Sequence, residues 1–156
     1  MICGLTEKYN ITPEWLQLEL TESAYTGNPK AIKEMMEQLQ KKGFSILMDD
    51  FGSGYSSLNV LKDIAVDVLK IDMKFLDGSG DDGRSENILA SVVRMAKWLN
   101  MPVVAEGAER KEQVSFLHSI GCEYVQGFYF ARPMPVKEYE KLLYEQPYFE
   151  DDETRR

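Results

Sequence analysis

Two hydrophobic periods alternate along this 156-residue chain, and no other feature limits its fold as much. Short apolar runs end in charged or polar residues: Leu16 to Leu20, Phe44 to Met48, Val66 to Ile71, Val103 to Ala105 and Tyr124 to Phe130. Helical spacing fills the intervals. Ile32, Met35, Met36 and Leu39 follow the i, i+3, i+4, i+7 rule, as do Ile88, Leu89, Val92, Val93 and Ala96. Asn28-Pro29 reads as a cap followed by proline at the first helical position, while Gly43 and Gly121 stand where helices should stop. Val136 to Tyr144 predicts a last short helix.

Strand then helix, repeated about five times, is the signature of parallel βα units. Such units build either a doubly wound sheet or a closed (β/α)8 barrel. Charges at the ends of several different strands favour the barrel, and the glycine-rich turn of a doubly wound nucleotide site is missing. A complete barrel takes about 250 residues, so only the C-terminal five or so units of an eightfold design are expected in this chain. Met1 to Pro13 does not read as a natural domain beginning, since Ile2 to Leu5 enters as a weak apolar fragment with no obvious partner, and the polar stretch 147–156 is expected to be a disordered tail.

The chain is 44% hydrophobic and 28% charged, which suits a folded domain. Its formal net charge of -8 repels phosphate backbones and anionic lipid heads, so DNA, RNA and membrane surfaces are disfavoured partners. An anionic ligand would need local help against that field, and a bound cation is the natural source. Cys3 and Cys122 lie in unrelated contexts without a metal-binding spacing, and they read as reduced thiols. No apolar run approaches the roughly 20 residues that span a bilayer. A cytoplasmic protein is therefore expected, with any membrane tether lying upstream.

Chemistry concentrates at the strand ends. The first run delivers Glu19, which by alternation faces opposite to Leu18 and Leu20 and so points into a barrel mouth. The second ends in Asp49-Asp50 followed by Phe51-Gly52-Ser53-Gly54. Two adjacent acids raise each other's pKa unless a cation neutralises them, and such pairs often hold metal. The third brings Lys70 and Asp72, the fourth Glu106 and Glu109, and the fifth Gln126. An all-oxygen donor set suits Mg2+, Mn2+ or Ca2+ rather than zinc. With one lysine among the acids, the combination points to phosphoester hydrolysis by a metal-activated water.

Plainer roles compete at single positions. Glu22, flanked by Thr21 and Ser23, is as well suited to capping or loop support as to ligation. Glu109 reads first as a dipole partner in the opening turn of a helix, and Asp72 equally as a cap. His118, the single histidine, falls on a helix away from the strand ends and is assigned to surface or packing. Asp50-Phe51-Gly52 mimics a kinase metal-binding triplet but lacks the accompanying phosphate loop. A barrel enzyme that stabilises an enolate with Mg2+ and lysine shares the acids but does not account for the loop from Asp49 to Ser57.

Taken in order, these segments resemble the EAL-type cyclic di-GMP phosphodiesterase domain. The matching stretches are Glu19-Leu20-Thr21-Glu22-Ser23, Asp49 to Ser57, Val66 to Asp72, Val104 to Glu109, Gln126-Gly127 and Ala131-Arg132-Pro133-Met134-Pro135. The resemblance implies a modified (β/α)8 barrel whose first strand opposes the others, with residues 1–146 forming its C-terminal part. It implies metal-dependent hydrolysis of cyclic di-GMP to the linear dinucleotide. Glu19 and Asp49 would ligate a first Mg2+ or Mn2+, and Asp49 and Asp50 would serve a second. Lys70 would hold the attacking water or hydroxide, Glu106 would act near the second metal as general base or through bound water, and Gln126, Asp72 and Glu109 would line or support the site. Glu22 would brace the loop from Asp50 to Ser57, which in this family links the site to a dimer interface.

The family's Glu-Ala-Leu signature and a following asparagine, both metal ligands, are expected upstream of Met1. Without them, metal binding and turnover should be weak. A homodimer, and a GGDEF or sensor domain in the full-length protein, are the further partners the resemblance implies. The alternative is a non-catalytic receptor or interaction module that keeps the shape without turnover.

Overall fold

The computed structural model describes residues 2–52, 57–63, 65–76 and 83–145. Five strands form one sheet: β1 (Gln17–Thr21), β2 (Ser45–Asp49), β3 (Val68–Asp72), β4 (Val103–Glu106) and β5 (Tyr124–Val125). All neighbours are parallel, and the strands lie in the order β1-β2-β3-β4-β5. The order never reverses, so there is no switch point of the kind a doubly wound sheet uses. A singly wound run of parallel strands is an arc of a (β/α) barrel, as the strand-end charges predict.

Alternation splits the sheet into two faces. Leu20, Ile46, Met48, Leu69, Ile71, Val103 and Ala105 form one of them and are buried in a single core cluster. They pack against Met36 of α3 (Pro29–Gln40), Leu89, Val93 and Ala96 of α5 (Arg84–Trp98), and Leu117 of α6 (Lys111–Ser119). The α3 and α5 positions are among the periodic ones read from the sequence, though Met35 and Ile88 of those sets are exposed. The other face carries Glu19, Asp49, Lys70 and Glu106 at the alternate positions. Hydrophobic burial thus holds the helices to one side and leaves the opposite side for polar chemistry.

The helix boundaries follow the local signals. The Asn28 side chain accepts from the Ala31 N–H at 3.2 Å, capping α3 as expected. Gly43 and Gly121 have φ of 91° and 78° just after α3 and α6, where the left-handed residue of a helix end is needed. The final helix is α7 (Val136–Glu145).

Three differences stand out. The apolar Ile2 to Leu5 stretch lies in a helix, α1 (Ile2–Tyr9), with Thr6 buried and its hydroxyl donating to the Cys3 carbonyl at 2.8 Å. The fifth strand stops at Val125 instead of Phe130, because the chain turns at Gly127 and the Phe130 N–H bonds back to the Gly127 carbonyl. Short helices α2 (Glu22–Gly27) and α4 (Ser57–Asp63) also join the strands, where apolar periodicity is too brief to read. The tail 147–156 lies outside the described residues. Both cysteines are free, and no helix among the described residues is long and apolar enough to cross a membrane.

Leu69 stands fully buried at the centre of the helix-covered face. Leu69→Ala should lower unfolding free energy by roughly 2–5 kcal/mol, the range for leucine truncation in a packed core. A denaturant midpoint unchanged from the parent chain would contradict this core assignment.

Candidate active site

Lys70 organises the polar face. Its side chain is only 8% exposed, and its ammonium meets Glu19 Oε1 at 2.5 Å, Glu106 Oε1 at 3.0 Å and Asp49 Oδ1 at 3.3 Å. Each acid comes from a different strand. Register places Asp49 level with Lys70 on the adjacent strand, and Glu106 two residues further up β4, level with Asp72. Glu19 reaches across β2 from the sheet's edge and stays 49% exposed. The inward direction predicted for Glu19 is the one observed.

Burial alone would push the Lys70 pKa down, because desolvation penalises the ammonium. Hydrogen bonds that the ammonium donates to Glu19 and Glu106, with the charges of Glu106 and Asp49, outweigh it and hold the pKa above the ordinary lysine value. A raised folded-state pKa means this stabilisation is fully present below the ordinary lysine pKa and is lost only as pH rises through the raised value. The lysine is therefore cationic throughout the neutral range. Three carboxylates around one ammonium leave the cluster formally negative.

Other expected site residues sit nearby with different attachments. Asp50 follows Asp49 but adopts a left-handed backbone (φ 56°), is exposed, and has no ion-pair partner among the described residues. Its turn carries Phe51 inward, where the Phe51 N–H bonds the Lys70 carbonyl at 3.2 Å. Asp72 accepts from the Lys74 N–H at 2.8 Å and pairs with the Lys74 ammonium at 3.2 Å, so it caps the following turn, as one sequence reading allowed. Glu109 is exposed and precedes α6 by two residues; the acid in that helix's first turn is Glu112. Glu22 begins α2, but its side chain, like loop residues 53–56, lies outside the described residues. His118 is exposed on α6. Buried Cys122 has its thiol pKa pushed up by desolvation, in keeping with a packing role.

Gln126 is exposed, one residue beyond the Ala105–Val125 pair, and so lies beside Glu106. The seam that holds it there was not legible in the sequence. The Gln126 N–H bonds the Ala105 carbonyl at 2.8 Å, and its carbonyl accepts from Ala108 at 3.1 Å. A Cβ on Gly127 would stand 2.0 Å from the Ala108 oxygen, so only glycine lets these two strand exits touch. Gln113 was also missed: its side-chain oxygen accepts from the N–H groups of Glu109 and Arg110 and closes the start of α6. Its position, three residues after the cap, was the available signal.

A singly wound parallel sheet with acids and a lysine gathered from four strand ends defines the barrel-enzyme class, whose active groups come from the C-terminal ends of several strands. The family model described as the EAL domain matches residues 2–133, and the chain belongs to that family. Among relatives, it is 38% identical over 137 residues to the cyclic di-GMP phosphodiesterase NbdA of Pseudomonas aeruginosa, covering 88% of this chain and 18% of that protein. The solved PaMucR phosphodiesterase in complex with c-di-GMP superposes with a TM-score of 0.80 at 37% identity, over 88% of this chain and 56% of that one. The Klebsiella pneumoniae BlrP1 manganese/cy-diGMP complex superposes at 0.77 and 32% identity, over 85% and 34%. The chain thus spans less than a fifth of that curated relative and just over half of the first of these solved structures.

Two variants test the geometry. Lys70→Met strips the counter-ion from three converging carboxylates and should cost roughly 1–3 kcal/mol, below the full penalty for a buried pair because Glu19 is half exposed. Equal or higher stability would refute the role of Lys70 as the organising charge. Gly127→Ala must push apart the exits of β4 and β5, and thermal unfolding should show a loss of roughly 1–3 kcal/mol.

Proposed function

We propose that residues 1–146 form the C-terminal part of an EAL domain that hydrolyses cyclic di-GMP to linear pGpG, with weak or no turnover when this part stands alone. The convergence of Glu19, Asp49 and Glu106 on Lys70 carries the reading. PaMucR and BlrP1 are each known in complex with the dinucleotide, which supports it as the substrate.

The donor chemistry fits a divalent cation. All the candidate ligands are hard carboxylate oxygens, and the negative cluster faces a substrate that is itself anionic. Glu19 and Asp49 would hold one Mg2+ or Mn2+, with Asp49 and Asp50 serving a second. Such a cation, when bound, lowers the pKa of water and offsets phosphate charge. Among the described residues no three acids are grouped closely enough to cage an ion on their own, so further donors are required. The same observation favours the second reading, a non-catalytic cyclic di-GMP receptor.

The chain's own groups account for the proton and the nucleophile. With Asp49, the most distant of its three partners at 3.3 Å, released, the Lys70 ammonium can hold the oxygen of a water, and Glu106, 3.0 Å from that ammonium, takes its proton as general base. Attack at phosphorus then forms one P–O bond to the water oxygen and breaks one P–O bond of the ring; the departing ribose oxygen takes up a proton from solvent as Glu106 releases the one it took, giving pGpG. Gln126 lines the site beside Glu106, while Asp72, Glu109 and Glu22 support its loops. A cytoplasmic setting goes with the free thiols. A homodimer and an attached GGDEF or sensor domain complete the reading.

The test is conversion of cyclic di-GMP to pGpG with Mn2+ or Mg2+, measured by chromatography for this chain and for one extended upstream. The extended protein should turn over. Asp49→Asn should abolish its metal-dependent activity, and Glu106→Gln should lower kcat by roughly 10²–10⁴. Binding without cleavage in the extended protein would overturn the hydrolase reading in favour of the receptor.

A further inference from the structure

The ladder between β2 and β3 carries two of the site's charged residues, yet it is short. Two pairs register, Leu47 with Val68 and Met48 with Leu69, against five between β1 and β2 and four between β3 and β4. Asp49 and Lys70 stand one step beyond it, and their 3.3 Å contact depends on this register. A slip of one residue would send Lys70 to the helix-covered face.

At the far end of the same ladder, Asp67 occupies both backbone groups of Ile46. Its N–H donates to the Ile46 carbonyl at 2.8 Å, and its carboxylate Oδ2 accepts from the Ile46 N–H at 2.7 Å. The same Oδ2 accepts from the Gln40 amide at 3.0 Å, and Gln40 also donates to the Ala65 carbonyl at 2.9 Å. Three elements therefore meet here: the end of α3, the start of β2 and the approach to β3. Ile46 precedes Asp49 by the same offset by which Asp67 precedes Lys70. Pinning Ile46 to Asp67 therefore dictates that Asp49 stands opposite Lys70.

We infer that Asp67, supported by Gln40, is a positioning residue: a register clamp at the base of the sheet that aligns Asp49 with Lys70 at its top. Its functional meaning rests on the phosphodiesterase reading. Its test uses no substrate, so either idea can fail alone.

The experiment is side-chain and backbone 1H–15N NMR on the full chain. Held by three carboxylates, the Lys70 ammonium should give a protected cross-peak in the wild type. Asp67→Ala should broaden or shift that peak and speed amide exchange at Met48 and Lys70, which face each other's strands, while Leu69, bonded to the Pro102 carbonyl at 2.9 Å, β4 and α6 keep their protection. Asp67→Asn retains an acceptor for Ile46 and should restore the Lys70 signal. Gln40→Ala, a milder change, should move the signal part of the way and decides the matter if Asp67→Ala does not fold. An unchanged Lys70 peak in the variants would overturn the inference, and so would its loss together with protection across the whole sheet. A wild-type chain without a protected Lys70 signal would also overturn it.

Discussion

One ammonium ties four strand ends together. A lysine buried as deeply as Lys70 is costly unless carboxylates meet it, and here they arrive from β1, β2 and β4. None of the three acids can take its place unless its strand is in register. The interaction therefore reports on the whole sheet, and the sheet's order makes it possible, because β3 lies between the strands that supply the acids. Site and fold share the same contacts. Damage to the sheet's register and damage to the charge cluster are two descriptions of one event.

The two faces of the sheet divide the physical labour. Apolar burial against α3, α5 and α6 supplies cohesion, and it leaves no room for charge. The opposite face holds a negative cluster that only a cation or a hydrogen-bonding ligand can balance. Carboxylates set against one another would ordinarily repel, and here the central lysine relieves part of that repulsion. The residual negative charge is the basis on which a cation is proposed for this face.

Much of this was legible in the residues themselves. The alternation of periods gave the strand and helix order, and the charged strand ends separated a barrel from a doubly wound sheet. Glu19, Asp49, Lys70 and Glu106 were named from position alone, and the structure brings all four together. What escaped notice was held by contacts without a local signature. Asp67 looks like any acid before an apolar run until Ile46 is seen against it. Gly127 reads as a turn residue, whereas its role is steric clearance for the Ala108 backbone. Asp72 could be read as a cap or a site residue, and only the contact with Lys74 shows the cap. Helix α1 was missed because eight residues with one buried position give too little periodicity to read.

The uninterrupted strand order also schedules how the cluster is electrically assembled. Each strand pairs with its neighbour in sequence, so pairing can follow synthesis from the N-terminus onward. Of the four, Glu19 and Asp49 emerge first, on one face of adjacent strands, before Lys70 is made. Lys70 arrives 21 residues after Asp49 and offsets half of that pair's charge; Glu106, on the next strand, adds to the negative excess that remains. A nascent chain that stops short of β3 is thus left with its two acids uncompensated, whereas one that stops just beyond it holds them at their most nearly neutral. The polarity of translation and the polarity of the sheet run the same way.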